Sequence, residues 1–354
     1  MGAARLYHNV RYAFCRRKPR LLVRLAWNLA LVALRKAPRL RYVDVALDFT
    51  CNQHCQHCFA RTYDRQRTRG RNLISAGQYR RLVDQAIALG AVSFSIQGGE
   101  PFAMFEKTKE VLGAFRPDRT LVSIKSNGTL ITPERAREAR ALGVDIVTIS
   151  VDSGVPEEHD AFRGQRGAHG RAMRGVRHCR EAGLKVIVAC TVSRANARSV
   201  GVMRLIEETR ALGVLCFLIK AAPSGNWAGN RSVLLTEEDS RWIDEVTRRY
   251  PHCRTDFEAN YLAYGCGAMK EIIYVSQYGD VMSCPFIQVS VGNVLEEPLE
   301  AIWRRGLSVP EFSRYAARCL IAEDPDFIDR YIAVTQHRDD LPVSIAEFER
   351  TKTT

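Results

Sequence analysis

CNQHCQHC occupies residues 51–58 and directly follows the β-rich run Tyr42–Phe49. Its three cysteines have the spacing C-x-x-x-C-x-x-C on one predicted loop. Each of three such thiolates can bind one iron of a cubane iron–sulfur cluster, which leaves the fourth iron open to a substrate or a cofactor. The alternative is a zinc knuckle that combines two or three of the cysteines with His54 or His57. The next cysteine in the chain is Cys179, so a second zinc-ligand pair is not close in sequence.

Downstream of this loop, short β-rich runs alternate with longer amphipathic stretches, several of which end at a glycine as helices commonly do. Six β/α units in a row predict a parallel sheet covered by helices, with ligand sites at the carboxyl ends of the strands. The predicted strands are Tyr42–Phe49, Val92–Gln97, Leu121–Ser126, Asp145–Val151, Lys185–Val192 and Val214–Lys220. The predicted helices include Ser75–Leu89, Pro133–Leu142, Arg171–Ala182, Ala197–Leu212 and Thr236–Tyr250.

The pattern changes after residue 250. The runs Ile272–Ser276 and Asp280–Ser283 flank Gln277-Tyr278-Gly279 and predict a β-hairpin. We therefore expect three segments: a basic leader at 1–42, an α/β domain at 43–250, and a small C-terminal domain at 251–354.

The net charge of +13 is concentrated in the leader. Residues 1–43 contain eleven Lys or Arg and no Asp or Glu, so only +2 belongs to the rest of the chain. The body of the protein therefore has no strong attraction for a polyanion, and a nucleic-acid partner is not expected. The eleven cysteines are odd in number and three are clustered, which favours reduced thiols and a cytoplasmic location over disulfides.

The leader also contains an apolar stretch, Leu21–Leu34, of fourteen residues. A helix of that length spans ~21 Å, less than the bilayer core of about 30 Å, so it is not expected to cross a membrane. It is predicted to be amphipathic, with residues 16–36 either packing on the domain or lying on the inner face of a membrane. The predicted apolar stripe is Leu22, Leu25, Leu29 and Val32, and the other face carries Arg17, Arg24, Asn28 and Arg35.

Further strand ends carry small or polar residues that could surround a ligand at the same edge of the sheet. The second strand ends in Gly98-Gly99-Glu100-Pro101, in which two glycines permit close backbone approach and Glu100 can accept hydrogen bonds. The next two strands end in Ser126-Asn127-Gly128 and Ser150-Val151-Asp152-Ser153. Taken singly, these are equally typical of turns and caps.

Together these motifs resemble the radical S-adenosylmethionine (SAM) superfamily, including an aromatic position before the last cysteine, here His57. The resemblance covers about Val43 to Gly306 and implies a partial (β/α)6 TIM-like barrel. It implies that Cys51, Cys55 and Cys58 hold a 4Fe-4S cluster whose open iron binds SAM. The residues that it implies for SAM binding are His57, Gly98, Gly99, Glu100, Pro101, Ser126, Asn127, Ser150, Asp152, Arg163 and Thr191.

The C-terminal segment is similar to the SPASM or Twitch domains of one subfamily. Cys266 and Cys284 flank the hairpin, with Gly279 between them, and Cys319 follows. The resemblance implies an auxiliary 4Fe-4S cluster on these three cysteines. Since full SPASM members have a denser run of later cysteines, the pattern favours the shorter Twitch type with one auxiliary cluster. The fourth ligand could be Cys253, a residue near Glu323, or the substrate.

The resemblance implies a radical oxidation or rearrangement that begins with reductive cleavage of SAM, with flavodoxin or ferredoxin as the reductant. A small molecule or a lipid-linked compound is the expected substrate. A ribosomal peptide is the alternative within the class, although the leader is too short for a separate peptide-recognition domain. A zinc-binding nucleic-acid or interaction module is the alternative outside it. No catalytic residue is assigned.

Overall fold

An eleven-stranded sheet forms the core of the protein, in the order β11-β10-β9-β8-β1-β2-β3-β4-β5-β6-β7. The structure is a computed structural model that describes residues 11–12, 18–35, 38–60, 70–255, 260, 265–336 and 338–350. The strands are β1 Tyr42–Ala46, β2 Ser93–Gln97, β3 Leu121–Ser126, β4 Ile146–Ser150, β5 Lys185–Val192, β6 Leu215–Lys220, β7 Cys253–Arg254, β8 Ile272–Val275, β9 Asp280–Met282, β10 Val289–Asn293 and β11 Val343–Ser344.

Strands β1 to β7 are parallel in sequential order, and the helices between them cover the outer face. The predicted partial α/β barrel is thus confirmed as an open, parallel arrangement. The helices are α1 Pro19–Arg35, α2 Ala76–Ala88, α3 Phe105–Ala114, α4 Pro133–Ala141, α5 Pro156–Arg163, α6 Ala168–Glu181, α7 Val200–Ala211, α8 Glu237–Arg249, α9 Leu299–Ser308, α10 Pro310–Ser313, α11 Pro325–Phe327, α12 Ala333–Thr335 and α13 Ile345–Arg350. Short 3-10 helices cover Gly225–Trp227 and Arg231–Val233, and a π-helix covers Ile328–Ile332.

Helix bounds follow local signals in the sequence. Ser75 and Gln78 form a capping box at the start of α2, and Thr236 and Asp239 form another at the start of α8. The sequence analysis did not predict α3 or α5. Helix α5 has no side-chain cap, and its start signals are Pro156 and the acidic residues Glu157 and Glu158 in the first turn.

The C-terminal hairpin continues the sheet of the barrel. Strand β8 pairs in parallel with β1, so that Val43 lies opposite Ile273. Strand β9 then returns antiparallel to β8, and β10 to β9. The hairpin was predicted from local sequence, but its pairing with β1 was not, because parallel pairing joins segments more than two hundred residues apart. The division at residue 250 stays a prediction.

The two faces of the strands differ in chemistry. Alternate residues such as Val43, Ile96, Ile124 and Val188 belong to the main apolar core beneath the helices. The intervening residues face the interior of the barrel, its lumen, and many of them are polar. At the amino end the lumen is filled by Tyr12 together with Ile146, Ile187 and Leu215. This apolar cluster forms a floor, so the open part of the lumen lies toward the carboxyl ends of the strands.

Helix α1 packs across the amino end of the barrel through part of the predicted stripe, since Leu25 and Val32 pack against the cluster of Leu21 and Val92. Leu21 is fully buried, while Leu29 is exposed. On the predicted polar face, Arg24 donates to the carbonyls of Ile87 and Ala91, and Asn28 donates to the carbonyl of Gly90. The predicted packing face is therefore correct only in part, because Arg24 and Asn28, which were assigned to the polar face, also lie on the inner side and donate to backbone carbonyls at the end of α2 and just after it.

The opposite side of α1 exposes Val23, Trp27 and Leu34. Cys15, Arg16, Arg17 and Lys36 of the leader lie outside the described residues. Among the described helices, none has both the length and the apolar character needed to cross a membrane.

Lys18 anchors the leader through a buried ion pair with Asp145, and it also donates to the carbonyls of Thr120 and Gly143. We expect Lys18→Met to lower the free energy of unfolding by about 3 kcal/mol, because it removes the nearest cation from a buried carboxylate and leaves Arg140 at 3.9 Å. Arg20→Met is the matched control, since its pair with Asp118 is mostly exposed, and should leave stability nearly unchanged. Chemical denaturation followed by circular dichroism measures both. Equal losses would show that Lys18 does not anchor the leader.

Candidate functional site

The cysteine loop 51–58 lies at the carboxyl end of β1, where the loops after β2, β3, β4 and β6 converge on it. Cys51 is within electrostatic range of Cys55, Cys58 and Glu100. Cys55 is buried, Cys58 is partly buried and Cys51 is exposed. The predicted grouping of the three thiols is therefore present, with its more open side at Cys51.

Two glycines fasten the loop after β2 to the residues that precede Cys51. The Gly99 amide donates to the carbonyl of Asp48, and the Glu100 amide donates to that of Thr50, both at 2.8 Å. A Cβ atom on Gly98 would lie 2.3 Å from the Asp48 oxygen, and one on Gly99 would lie 2.1 Å from the Thr50 oxygen. The close approach that the sequence predicted is thus made to the neighbouring loop.

Glu100 is fully buried and joins the loops after β2 and β3. Its carboxylate accepts hydrogen bonds from the Phe102 amide at 2.9 Å, the Ser126 hydroxyl at 2.7 Å and the Asn127 amide at 2.7 Å. Burial raises the pKa of Glu100, although the three hydrogen bonds oppose that shift. The hydrogen bonds that the sequence analysis expected Glu100 to accept are thus made within the protein.

Asn127, whose backbone amide donates to Glu100, also contacts the cysteine loop through its side chain. Its Nδ2 donates to Asn52 Oδ1 at 2.8 Å and lies 4.0 Å from Cys51 Sγ.

Two other predicted residues, Pro101 and Ser150, lie at the ends of neighbouring strands. Pro101 is buried and its carbonyl accepts a hydrogen bond from Thr108. Ser150, the last residue of β4, is partly exposed on the lumen side.

Asp152 and Arg163 form a buried ion pair beside Cys55. Arg163 Nε donates to Asp152 Oδ2 at 2.6 Å, and its Nη1 lies 3.7 Å from Cys55 Sγ. The other Asp152 oxygen accepts from the Thr191 amide at 3.0 Å. Burial alone would raise the pKa of Asp152, but the adjacent Arg163 holds that pKa below its usual value. The pair brings the ends of β4 and β5 to the cysteine loop.

His57 lies in an aromatic cluster. Its ring stacks on Phe162 with centroids 4.6 Å apart and lies 5.6 Å from the ring of Trp227. Desolvation lowers the pKa of His57 to about 3, so the ring is neutral, and its buried Nδ1 has no hydrogen-bond partner. A neutral aromatic ring with an unsatisfied nitrogen suits contact with a planar polar ligand.

The loop after β6 supplies residues that the sequence analysis treated only as a connection. The Asn226 amide donates to Cys58 O at 3.1 Å, and its Nδ2 donates to Cys55 O at 2.9 Å. Gly225 has φ +65°, and a Cβ atom there would lie 2.3 Å from Cys58 O. A Gly-Asn-Trp triplet at a strand's carboxyl end was the available signal, but its partner could not be read from local sequence.

Cys266, Cys284 and Cys319 form a second group of thiols. Cys266 forms an isolated bridge with Ala316, and Cys319 is within electrostatic range of both Cys266 and Cys284. All three are partly buried. The predicted grouping is therefore present around the hairpin, with Phe286 packed edge-on against Phe59 of the first cysteine loop at 5.2 Å.

Of the two residues predicted as a fourth ligand of the auxiliary cluster, only Glu323 lies beside Cys319. Cys253 is buried in β7 opposite Cys216, at the amino end of β6, far from the hairpin thiols along the strand. Glu323 lies beside Cys319 and accepts from its amide at 2.9 Å. The carboxylate of Glu323 also accepts from Lys220 at 2.6 Å and from Ser240 at 2.9 Å. Glu323 is thus engaged by protein donors, and it connects Cys319 to the end of β6.

The donor chemistry of both groups fits iron–sulfur clusters. Each group offers three thiols from one region, and N–H groups of Asn127 and Arg163 approach two of the sulfurs in the first group. Within the part of the chain that the structure describes, no three His, Cys, Asp or Glu side chains are grouped to hold a single metal ion.

Two family models match the chain at these two sites. The radical SAM superfamily model matches residues 49–195, and the SPASM model, an iron–sulfur cluster-binding domain, matches residues 266–320. The chain contains a radical SAM domain and a SPASM domain, and it is an enzyme. The matched ranges contain both groups of three cysteines. The enzyme accordingly uses SAM, a 4Fe-4S cluster and an auxiliary cluster, and its reaction requires a reductant.

Relatives of the enzyme act in different reactions. It is 27% identical over 317 residues to the AdoMet-dependent heme synthase of Nitratidesulfovibrio vulgaris, covering 80% of this chain and 84% of the relative. It is 24% identical over 303 residues to the subtilosin biosynthesis protein AlbA of Bacillus subtilis, covering 79% and 65%. Streptococcus suis SuiB bound to its precursor peptide SuiA shares the fold, with TM-score 0.60, 16% identity and coverage of 84% and 72%.

Gly225 tests whether the loop after β6 is needed to hold the cysteine loop. We expect Gly225→Ala to lose about half of the bound iron, one of two four-iron clusters, because the new Cβ displaces Cys58. Gly77→Ala in α2 is the matched control, since a Cβ there meets no atom within 4 Å. Iron per chain after anaerobic reconstitution is the measurement. Full iron content in both variants would refute this role for Gly225.

Proposed function

We propose that Cys51, Cys55 and Cys58 hold the SAM-binding 4Fe-4S cluster, with its open iron toward the exposed side at Cys51. The observation that carries this proposal is the convergence of four strand-end loops on one group of three thiols. The chemistry that a bound cluster and SAM supply is reductive cleavage of SAM to methionine and a 5′-deoxyadenosyl radical, which takes a hydrogen atom from an unactivated carbon.

The surrounding residues have separate roles in this proposal. His57, with its unsatisfied Nδ1 and its aromatic neighbours, binds the adenine end of SAM. Asn127 and Arg163 orient the cysteine thiolates and offer N–H groups to the polar end of SAM. Gly98, Gly99, Glu100, Pro101, Ser126, Asp152 and Thr191 hold these side chains in place, and Ser150 faces the substrate space.

We further propose that Cys266, Cys284 and Cys319 bind one auxiliary 4Fe-4S cluster, in the manner of a Twitch domain. Four of the other described cysteines, Cys179, Cys190, Cys216 and Cys253, belong to the apolar core, which supports a single auxiliary cluster. An auxiliary cluster beside the substrate space can accept an electron from a substrate radical. The ion pair Lys220–Glu323 positions the Cys319 loop against the rim of the barrel.

We propose that the substrate is a small molecule. We also propose that the enzyme catalyses a net oxidation of it, since the auxiliary cluster can accept an electron. The heme synthase matches most of the chain, and heme is a tetrapyrrole with carboxylate side chains. We therefore propose an iron tetrapyrrole or a related carboxylated compound as the first candidate. A peptide is the second candidate, supported by the similarity to AlbA, and the same fold holds a peptide in SuiB.

We also propose a peripheral membrane contact through α1. Its exposed side presents Val23, Trp27 and Leu34, with exposed fractions of 70%, 63% and 81%. The leader around it carries eleven cations and no anion. An apolar stripe with basic flanks is typical of helices that lie in the interface of an anionic membrane. Such a contact would favour a lipid-linked or membrane-delivered substrate.

The two groups of cysteines can be tested separately. Anaerobically reconstituted enzyme should bind about eight irons, and either triple Cys→Ala variant should retain about four. Only the variant of Cys51, Cys55 and Cys58 should lose all formation of 5′-deoxyadenosine from SAM under dithionite, because only that group binds SAM. Iron analysis and liquid chromatography measure these outcomes. A colourless, zinc-containing protein without SAM cleavage would contradict the proposal.

The membrane contact predicts that the enzyme co-sediments with vesicles containing phosphatidylglycerol, but not with neutral vesicles, and that salt weakens this binding. The double variant Trp27→Ser and Leu34→Ser should stay in the supernatant, because it removes exposed apolar groups. Val200→Ser is the matched control, since Val200 is 72% exposed on α7, away from the leader. Equal recovery of every variant in the supernatant would leave α1 with a structural role alone.

A further inference from the structure

The lumen above its apolar floor is polar on the strands nearest to the cysteine loop. Interiors of parallel β/α barrels are commonly filled by branched apolar side chains. Here the side chains of β1 to β4 that alternate with the outer core include Asp44, Ser95, Gln97, Ser123, Lys125 and Thr148. Polar groups concentrated below a cofactor site indicate a substrate pocket.

Lys125 extends across this region from β3 to β1. Its Nζ donates to Asp44 Oδ2 at 2.6 Å, and Tyr42 donates to Asp44 Oδ1 at 2.9 Å. The Asp44 side chain is 3% exposed, whereas that of Lys125 is 35% exposed. Asp44 therefore fixes the ammonium in position, and Lys125 stays accessible to a ligand.

Gln97 lies next to Lys125 on the same face. The pairing of Ile96 with Ile124 makes Gln97 and Lys125 the following neighbours on β2 and β3, strands about 4.8 Å apart. Gln97 is 6% exposed, and its Nε2 is buried without a hydrogen-bond partner. Buried N–H groups of this kind are rare in folded proteins and are expected to bind a partner.

We infer that Lys125 and Gln97 together bind a carboxylate of the substrate, with Asp44 and Tyr42 as positioning residues. A carboxylate has two acceptor oxygens, which match one ammonium and one amide N–H group presented side by side. The inference rests on the proposed function, because it places the substrate in the lumen below the SAM site. It adds the chemical group that is recognised and the residues that recognise it.

The test measures binding of iron coproporphyrin III, which carries four carboxylates, and of its tetramethyl ester. Equilibrium dialysis under anaerobic conditions with the reconstituted full chain should show binding of the acid and at least about tenfold weaker binding of the ester. Lys125→Met should weaken binding of the acid by a similar factor, and Lys125→Arg should restore it. Lys109→Met is the matched control, since Lys109 pairs with Glu106 and Glu138 on the outer surface.

Lys125→Met could fail to fold, since it removes the cation that pairs with Asp44. In that case Gln97→Leu provides a second test of the carboxylate site. Since Gln97 Nε2 has no internal partner, the leucine variant should keep its iron content and thermal midpoint, yet bind the acid at least about tenfold more weakly. If Gln97 had only a structural role, its replacement would lower the thermal midpoint together with binding of the acid.

The outcomes separate this inference from the proposed function. Equal binding of acid and ester, or unchanged binding by Gln97→Leu and a folded Lys125→Met, would overturn the carboxylate site. Failure of the wild-type enzyme to bind the acid, while it still forms 5′-deoxyadenosine, would overturn the site and leave the radical chemistry in place. Acid binding that depends on Lys125 without formation of 5′-deoxyadenosine would support the site and refute the proposed function.

Discussion

The buried carboxylate of Glu100 is the interaction on which the first cysteine site depends. A carboxylate removed from water costs free energy unless donors surround it, and Glu100 obtains three, from Phe102, Ser126 and Asn127. Those donors belong to the loops after β2 and β3, so satisfying one charge fixes two loops. The backbone of Gly99 and Glu100 then ties the same loops to the chain before Cys51. The position of the cysteine loop follows from this network.

The two ends of the barrel are lined by different kinds of side chain. At the amino end, Tyr12 and its apolar neighbours close the lumen, while Lys18 and α1 cover it from outside. At the carboxyl end lies the first group of thiols, and the ring contact of Phe59 with Phe286 joins this region to the hairpin that carries the second group. The ion pair of Lys220 and Glu323 connects the second group to β6. Among the described residues, the amino end is thus closed by packed side chains, whereas the two groups of thiols lie toward the other end.

The inner side of helix α1 has to bury apolar side chains and also to donate hydrogen bonds to backbone carbonyls. Its inner side must satisfy the carbonyls of Ile87, Gly90 and Ala91, so it uses Arg24 and Asn28 beside Leu21. Leu25 and Val32 pack on the same inner side, whereas Trp27 and Leu34 lie outside. The periodicity of leucines alone assigned Arg24 and Asn28 to the outer face, because a sequence pattern does not include the unsatisfied groups of the surface against which a helix packs.

The sequence by itself determined the alternating strands and helices, the six β/α units and the two groups of cysteines, because hydrophobic period and ligand spacing are local properties. It also predicted most of the residues around the first cysteine loop, since parallel strands bring their carboxyl ends to one edge. Only the tertiary structure decided that Gly225 and Asn226 hold the cysteine loop, that β8 pairs with β1, and that Gln97 Nε2 lies without a hydrogen-bond partner beside Lys125. Those relations join segments distant in the chain, and they depend on strand register and on which buried polar groups find partners, which no local pattern records.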